Sequence, residues 1–231
     1  MFSAYFDASG NRETPVLTFG GFVSRAKKWD RFEREWESIL RSVGVSYFHM
    51  TDFASSQGQF PGWKGHTRKR REFFDKLVGC INRNTNKGFC SSVSVSDYDV
   101  VNQTYLLREA CGNPYSFCGL SCLQALQDWA KKKSIPVSRV LVLVESGDDG
   151  QRDFIRRARD QGFKVVPIRK EDAHALAAGD LAAWKSRIVL QEAETKPIRS
   201  EEDLYNILRS LDQIKTVVQK MEDLALVSFA M

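Results

Sequence analysis

The chain has 231 residues, 42% of them hydrophobic and 27% charged, so it can bury a sizeable core and is too apolar for general disorder. Its 34 Lys and Arg exceed its 29 Asp and Glu only mildly, which permits a polyanionic partner without requiring one. No apolar run approaches the roughly 20 residues of a membrane helix, the N-terminus lacks signal-peptide features, and five cysteines without paired spacing favour free thiols. We therefore expect a cytoplasmic protein without a membrane segment.

The first half of the chain predicts a hairpin of two strands, followed by helices and further strands. Bulky residues bounded by Gly, Asn and Pro mark the strands, and apolar residues at helical spacing mark the helices. The predicted elements are strands at 2–7 and 16–23, a helix at 29–42, a short strand at 45–50, a loop at 55–65, a helix at 67–83 and a strand at 87–97.

The second half alternates between strands and helices, which is typical of an α/β fold. The apolar run Val140–Val144 predicts a strand that is buried on both faces. The other predicted elements are a helix at 114–133, a helix at 151–161, a strand at 163–168, a helix at 175–191 and two helical stretches within 197–231.

Two acids lie at the ends of predicted strands. Asp7 ends the first strand and Glu145 follows the Val140–Val144 run, and ligands often bind at the carboxyl ends of parallel strands. Each acid alone also fits a structural role, since Asp7 before Ala8-Ser9-Gly10 suits an Asx-turn.

A third acid, Asp180, lies in a segment made almost entirely of Ala, Leu and Gly. A carboxylate in such surroundings is costly unless it is paired, hydrogen-bonded or bound to a metal. The alternative is that Gly179-Asp180 begins the helix, with Asp180 as its N-cap. If all three acids converge, they offer the oxygen ligands that Mg²⁺ and Mn²⁺ prefer.

Four short motifs carry a resemblance to a known family, and the resemblance spans about residues 2–190. They are Tyr5-Phe6-Asp7-Ala8-Ser9-Gly10, Phe19-Gly20-Gly21-Phe22-Val23, Tyr47-Phe48-His49 and Ala177-Ala178-Gly179-Asp180-Leu181. In this order they resemble the family called domain of unknown function thirty-eight hundred, of the ribonuclease H-like superfamily. The chain departs from the family at Ala8, where glutamate is common, and at Gly179, where alanine is usual.

The resemblance implies a ribonuclease H-like mixed sheet flanked by helices over residues 1–195, with a helical insertion at about 50–85 and a C-terminal helical extension at 196–231. It also implies a nuclease that uses Mg²⁺ or Mn²⁺ to hydrolyse phosphodiester bonds of RNA or DNA. Asp7, Glu145 and Asp180 would then be both metal ligands and catalytic residues. Asp148 is open to two interpretations, a fourth acid of the site or a cap of the following helix.

His49 and Asp52, in the sequence His-Met-Thr-Asp, are the next candidates. A histidine here suits a proton shuttle or a phosphate contact, so His49 joins the candidate catalytic residues. It suits equally a hydrogen-bonded scaffold residue.

Basic residues predict contacts with nucleic acid. The basic cluster, Arg68, Lys69, Arg70 and Arg71, follows Trp63, so the cluster suits phosphate neutralisation and Trp63 suits base stacking. The alternative is a solvated helix start. Ser9 and Lys185 are the remaining candidates for contact with nucleic acid.

Two other functional classes remain open at this point. A phosphotransferase of the actin-like ATPase type would use Asp7-Ala8-Ser9-Gly10 as a phosphate turn, although no second nucleotide-binding turn is evident. A non-catalytic module would bind nucleic acid or a partner protein through a degenerate site. Nucleotide hydrolysis without nucleic-acid cleavage would favour the phosphotransferase. Nucleic-acid binding that needs no metal would favour the non-catalytic module.

Overall fold

A computed structural model describes residues 1–11 and 13–195, and in that part of the chain it contains one five-stranded sheet with helices on both faces. The order of the strands across the sheet is β3-β2-β1-β4-β5. The strands are β1 Phe2–Ser9, β2 Val16–Arg25, β3 Lys87–Ser94, β4 Val140–Glu145 and β5 Lys164–Ile168.

The sheet is mixed because one strand runs against the others. β2 pairs antiparallel with both β1 and β3, whereas β4 pairs parallel with β1 and with β5. The predicted α/β class and the initial hairpin are therefore confirmed.

Eight helices cover the two faces of the sheet in the described residues. They are α1 Ala26–Arg41, α2 Met50–Ser55, α3 Thr67–Asn84, α4 Val95–Tyr105, α5 Leu107–Cys111, α6 Pro114–Lys132, α7 Gln151–Asp160 and α8 Ala175–Thr195. Buried residues of α1, α2, α3 and α8 share one core cluster, and those of α6 and α7 share another. None of the described helices is both long enough and apolar enough to cross a bilayer.

The layer that contains α1, α2 and α3 has an aromatic core. Phe48 and Phe53 lie in it beside Trp36 and Phe73, with ring centroids 5.7 to 6.1 Å apart. The strand predicted at 45–50 is wrong, since residues 45–49 are irregular and α2 begins at Met50. Val45 and Phe48 of that segment are buried in the core and fix the connection between α1 and α2.

The opposite layer packs α6 and α7 against the other face of the sheet. Asn113 caps α6 by accepting a hydrogen bond from the Ser116 backbone N–H at 2.9 Å, and Pro114 occupies the first turn, as is favourable there. Cys118 and Cys122 of α6 are buried in this layer, whereas Cys80 of α3 is buried in the aromatic one. Each layer thus contains at least one buried free thiol.

Helix α8 packs against the sheet with a glycine on each side of the contact, Gly179 on the helix and Gly20 on β2. A Cβ atom on Gly179 would lie 3.0 Å from the Asp7 backbone nitrogen and 3.1 Å from the Gly20 carbonyl oxygen. A Cβ on Gly20 would lie 3.1 Å from the Ala183 nitrogen. The missing side chains allow the α8 backbone to approach β1 and β2, which brings Asp180 near Asp7.

Several predicted boundaries differ from the structure. The strand predicted to run to position 97 ends at Ser94, whose side chain accepts a hydrogen bond from the Asp97 N–H and caps α4. In β4, Val140, Val142 and Val144 are buried but the residues between them are only half-buried, so burial on both faces is incomplete. The helices predicted within 197–231 lie outside the described residues.

Candidate functional site

Three carboxylates from distant parts of the chain meet at the β1–β4 pair, and they are called the carboxylate site below: Asp7, Glu145 and Asp180. Phe6 and Val144 are paired in the parallel ladder, so the next residues, Asp7 and Glu145, lie side by side. Phe6 and Val144 face the α6 layer, so their successors face α8, where Asp180 lies in the second turn.

One ammonium group lies at the centre of the carboxylate site. Lys170 Nζ is 3.0 Å from Asp7 Oδ2, 3.0 Å from Glu145 Oε2 and 3.3 Å from Asp180 Oδ2. Lys170 begins a single 3-10 turn, Lys170–Asp172, that connects β5 to α8. Neither that turn nor the lysine was identified from the sequence.

Asp7 is a strand residue and not part of a turn. It pairs with Gly20 inside the β1–β2 ladder and is 2% exposed, so the Asx-turn interpretation is wrong. The Ala8 N–H donates to Asp7 Oδ1 at 2.7 Å, whereas Oδ2 accepts no hydrogen bond from a backbone or hydroxyl donor of the described chain. Asp7 Oδ2 is thus a buried oxygen whose close partner is a cation.

Asp180 is held by the helical insertion. The backbone N–H of Met50, at the start of α2, donates to Asp180 Oδ2 at 2.8 Å. Because α8 begins five residues earlier at Ala175, Asp180 cannot be its N-cap, and that alternative is wrong. The two backbone N–H groups near the start of α8, His174 and Ala175, donate instead to the Glu33 carboxylate of α1.

The charges within the carboxylate site shift the protonation of its members in opposite directions. Burial raises the pKa of Asp7 well above its usual range, the Lys170 charge opposes this, and Glu145 raises it further. Burial also acts to raise the pKa of Glu145, but a hydrogen bond from Asp7 and the Lys170 charge lower it overall. Burial disfavours the Lys170 ammonium, yet the three carboxylates hold its pKa above the usual value.

The donor set suits a divalent cation, but the present spacing does not. Among the described residues, no three His, Cys, Asp or Glu side chains stand close enough together to hold a metal ion. An ammonium–carboxylate contact is about 3 Å long and a Mg²⁺–oxygen bond about 2.1 Å, so the carboxylates would have to close by about 1 Å. The three acids fit a metal only where Lys170 no longer separates them.

His49 lies beside the carboxylate site, directly before α2. Its Nδ1 is 3.6 Å from Asp52 Oδ2 within a half-exposed pair, and a positive charge on the imidazole lies close enough to help lower the pKa of Glu145. At that distance Asp52 lies close to the imidazole without a direct hydrogen bond to it. The sequence His-Met-Thr-Asp thus places a histidine–aspartate pair at the edge of the site.

Asp148 adjoins the carboxylate site on the side of α6. Its Oδ2 and the Tyr115 hydroxyl are buried without a geometrically good hydrogen bond, next to a cavity of about 80 Å³ that both residues line. Burial, with the Glu145 charge, raises the pKa of Asp148 to about 6. Gly150 is the N-cap of α7, so Asp148 does not cap that helix through its side chain.

The basic cluster divides into structural and exposed members. Trp63 is buried among Phe53, Phe60 and Phe73, so it offers no exposed ring for base stacking. Arg70 donates to the Phe53 and Ala54 carbonyls and to Ser56 Oγ, which gives it a structural role. Arg68, Lys69 and Arg71 are exposed.

Contacts already made by Arg68 and Lys69 are weak. Arg68 pairs with Glu72 one turn further on, in a fully solvated setting. Lys69 Nζ lies 3.9 Å from the centroid of the Trp63 ring and covers it on the solvent side. Both side chains can therefore exchange these partners for phosphates.

The two remaining candidates lie on the same side of the sheet as the carboxylate site. Arg187 of α8 donates to Ser9 Oγ at 2.9 Å, at the end of β1. Lys185 Nζ lies over the Phe74 ring at 5.1 Å and near Trp184. Ser9 begins no phosphate-binding turn, because Ala8 and Ser9 are still part of β1.

Gln151 and Lys170 support the site and were missed in the sequence. Gln151 Nε2 donates to the Glu145 carbonyl, and its Oε1 accepts from the Gly147 N–H at 3.3 Å, which fixes the turn after β4. The local sequence does not distinguish Lys170 from Arg169, which lies in the same connection between β5 and α8 but pairs with Asp172. No family model matches the chain, and no curated protein has a significantly similar sequence. The family resemblance thus remains a prediction based on the four motifs.

Proposed function

We propose that the chain is a divalent-metal-dependent nuclease with a ribonuclease H-like fold. The observation that carries this proposal is the convergence of Asp7, Glu145 and Asp180 on one cation position. The acids come from the first strand, from a central strand and from the final described helix. Even with Asp7 protonated, the two other acids around one ammonium leave negative charge uncompensated, and this favours a doubly charged ion.

Asp7, Glu145 and Asp180 would hold Mg²⁺ or Mn²⁺ through carboxylate oxygens. A divalent ion bound there would activate water and stabilise charge on a phosphodiester oxygen. Asp7 Oδ2, buried and without a backbone or hydroxyl donor, is the oxygen with most to gain from a cation. The Met50 N–H orients Asp180, and the parallel β1–β4 ladder sets the spacing of Asp7 and Glu145.

His49 supplies the proton-transfer group of the proposed site. His49 directly precedes Met50, whose N–H is bound to Asp180, so the imidazole lies at the edge of the carboxylate site, where it can donate a proton to a leaving oxygen. The partial exposure of His49 leaves room for a substrate beside it.

RNA or DNA would approach across α2 and α3. Arg70 connects the basic cluster to α2, whose first N–H contacts Asp180, so Arg68, Lys69 and Arg71 are tied to the carboxylate site by one short helix. Exposed basic side chains here would neutralise backbone phosphates.

A cleavage assay with Glu145→Gln tests the nuclease proposal. The substrates are single- and double-stranded RNA and DNA and an RNA–DNA hybrid, each with Mg²⁺, Mn²⁺ or EDTA. We expect cleavage that needs the metal and falls at least 100-fold in Glu145→Gln, while the matched control Glu171→Gln, an exposed acid next to Lys170, keeps wild-type activity. Metal-independent cleavage, or full activity in Glu145→Gln, would contradict the proposal.

One observation favours a second candidate, a non-catalytic nucleic-acid-binding module. Lys170 already contacts all three acids, so the site is electrostatically supported without metal. Such a module would bind nucleic acid equally well in EDTA and in Mg²⁺ and would cleave none of the five substrates.

A further inference from the structure

Lys170 holds the position that a metal would take in the carboxylate site. We propose that Lys170 is an internal cation that competes with a divalent ion for Asp7, Glu145 and Asp180, and that its side chain withdraws to solvent when the ion binds. This inference rests on the proposed metal site and deepens it, because it names Lys170 as the residue that controls whether an ion can occupy the site.

The contact pattern of Lys170 indicates a stand-in for an ion. A single ammonium lies within 3.3 Å of three carboxylates that come from three separate elements. The ion pairs made by these acids in the described part of the chain all involve Lys170. An ordinary structural ion pair would need one acid, whereas three acids around one lysine retain excess negative charge that a doubly charged ion would neutralise better.

The surroundings of Lys170 allow it to leave while the acids stay. The Asp7 and Asp180 side chains are 2% and 5% exposed, but the Lys170 side chain is 20% exposed. Lys170 has a flexible four-carbon stem and a head group that water solvates strongly. In the same turn, the Asp172 N–H donates to the Arg169 carbonyl oxygen at 3.0 Å, a backbone hydrogen bond that does not depend on the lysine side chain.

Competition of this kind predicts that removing the lysine charge strengthens metal binding. Lys170→Met keeps most of the stem and removes the charge, and Lys170→Arg keeps the charge. Lys164→Met, at an exposed position of β5, is the matched control. Mn²⁺ binding to each purified full-length protein is measured from the loss of the free-ion signal in electron paramagnetic resonance, without any nucleic acid.

We expect Lys170→Met to bind Mn²⁺ at least tenfold more tightly than the wild type, Lys170→Arg no more tightly, and Lys164→Met equally. If the wild type and Lys170→Met bind with the same affinity, the inference falls and the metal site stands. If only Lys170→Met binds, the inference stands and the wild type is not a metal-dependent nuclease. If neither binds, both proposals fall.

A second measurement uses only the wild type, since Lys170→Met leaves buried acids without a cation and can fail to fold. Acetylation of Lys170 and Lys164 by an amine-reactive ester is followed by mass spectrometry in EDTA and in saturating Mg²⁺. We expect Lys170 to react more slowly than Lys164 in EDTA and to accelerate at least threefold in Mg²⁺, with Lys164 unchanged. An unchanged Lys170 rate in Mg²⁺ would overturn the inference.

Discussion

The backbone N–H of Met50 donates a hydrogen bond to Asp180 Oδ2 at 2.8 Å, which ties the start of α2 to an acid 130 residues further along the chain. His49 directly precedes Met50, so the same backbone segment places His49 at the edge of the carboxylate site. The helical insertion is therefore part of the site as well as a cover for the sheet.

Asp180→Asn and Asp180→Ala separate the hydrogen bond from the charge. Asn keeps an oxygen acceptor for the Met50 N–H and removes one negative charge from a site where negative charge exceeds that of Lys170, so stability in EDTA should hold or rise. Ala leaves that buried N–H unpaired, which should cost about 1–3 kcal/mol. Thermal melting in EDTA and in Mn²⁺ measures both effects.

The change in melting temperature that Mn²⁺ causes in Asp180→Asn tests directly whether Asp180 is a metal ligand. If Asp180 is a metal ligand, the Mn²⁺-induced rise in melting temperature should disappear in the Asn variant. An Asn variant that keeps the wild-type rise would exclude Asp180 as a ligand.

Asp148 predicts a dependence of stability on pH. Folding raises its pKa from 3.8 to about 6, mainly through burial, so the folded state binds the extra proton. The group therefore destabilises the folded protein progressively as pH rises from about 4 to 6, by up to about 3 kcal/mol above that range. Asp148→Asn should remove this loss, so it should stabilise the protein at pH 7.5 and have much less effect at pH 4.5.

Urea unfolding at the two pH values, in EDTA, measures the effect of Asp148→Asn. Asp75→Asn, on the exposed face of α3, serves as control and should change the free energy of unfolding little at either pH. An equal effect of Asp148→Asn at both pH values would show that burial does not shift this acid.

The exposed members of the basic cluster predict a salt-dependent contribution to nucleic-acid binding. Arg68, Lys69 and Arg71 replaced together by Ala should weaken binding and make the slope of log affinity against log salt shallower, by about 0.9 for each duplex phosphate that is no longer neutralised. Arg70 is left in place because it binds carbonyls of α2.

A charge-matched control for the basic cluster is available on α6. Replacing Lys131, Lys132 and Lys133 by Ala changes the net charge by the same amount at the exposed end of α6. If the slope becomes shallower by the same amount in both triple variants, the attraction is general and the basic cluster is not a binding surface.

Gly21→Ala should be strongly destabilising. A Cβ there would lie 2.8 Å from Phe6 Cα and closer still to the Tyr5 carbonyl oxygen, within the β1–β2 ladder. We expect a loss of roughly 3 kcal/mol or more, measured by urea unfolding.

Gly79→Ala is the control for Gly21→Ala, because the nearest obstacle is the flexible end of Arg83. In the interior of α3 this change should stabilise by up to about 1 kcal/mol. Equal losses of stability in the two variants would mean that the close β1–β2 approach is not the cause.

Most helices and strands could be predicted from periodicity, because burial of one face is a local property of the sequence. The segment at 45–50 could not, since Val45 and Phe48 are buried by contact with distant aromatic residues while Ser46 bonds to the Gln59 side chain instead of a ladder. The start of α4 did have a local signal, the spacing of Ser94 and Asp97 that marks a helix cap.

Only some residues of the candidate site could be predicted from the sequence. Asp7 and Glu145 stood out because their strands end near them, and Asp180 because its neighbours are apolar. Lys170 and Tyr115 have ordinary local surroundings, and their roles arise from side chains that meet across elements. Trp63 shows the opposite case, because an aromatic residue beside basic ones suggests stacking until tertiary burial is known.

The buried thiols in the two layers make it possible to measure the local opening of each helical layer separately. Burial raises the pKa of Cys80 to about 12 in the aromatic layer, and it raises the pKa of Cys122 in the α6 layer as well. Neither thiol can react with an alkylating reagent until its own layer opens and exposes it. Alkylation of Cys80 and Cys122 under native conditions, followed separately for each residue, would therefore show whether α3 and α6 detach together or one at a time. Because both cysteines belong to the natural sequence, no cysteine has to be introduced.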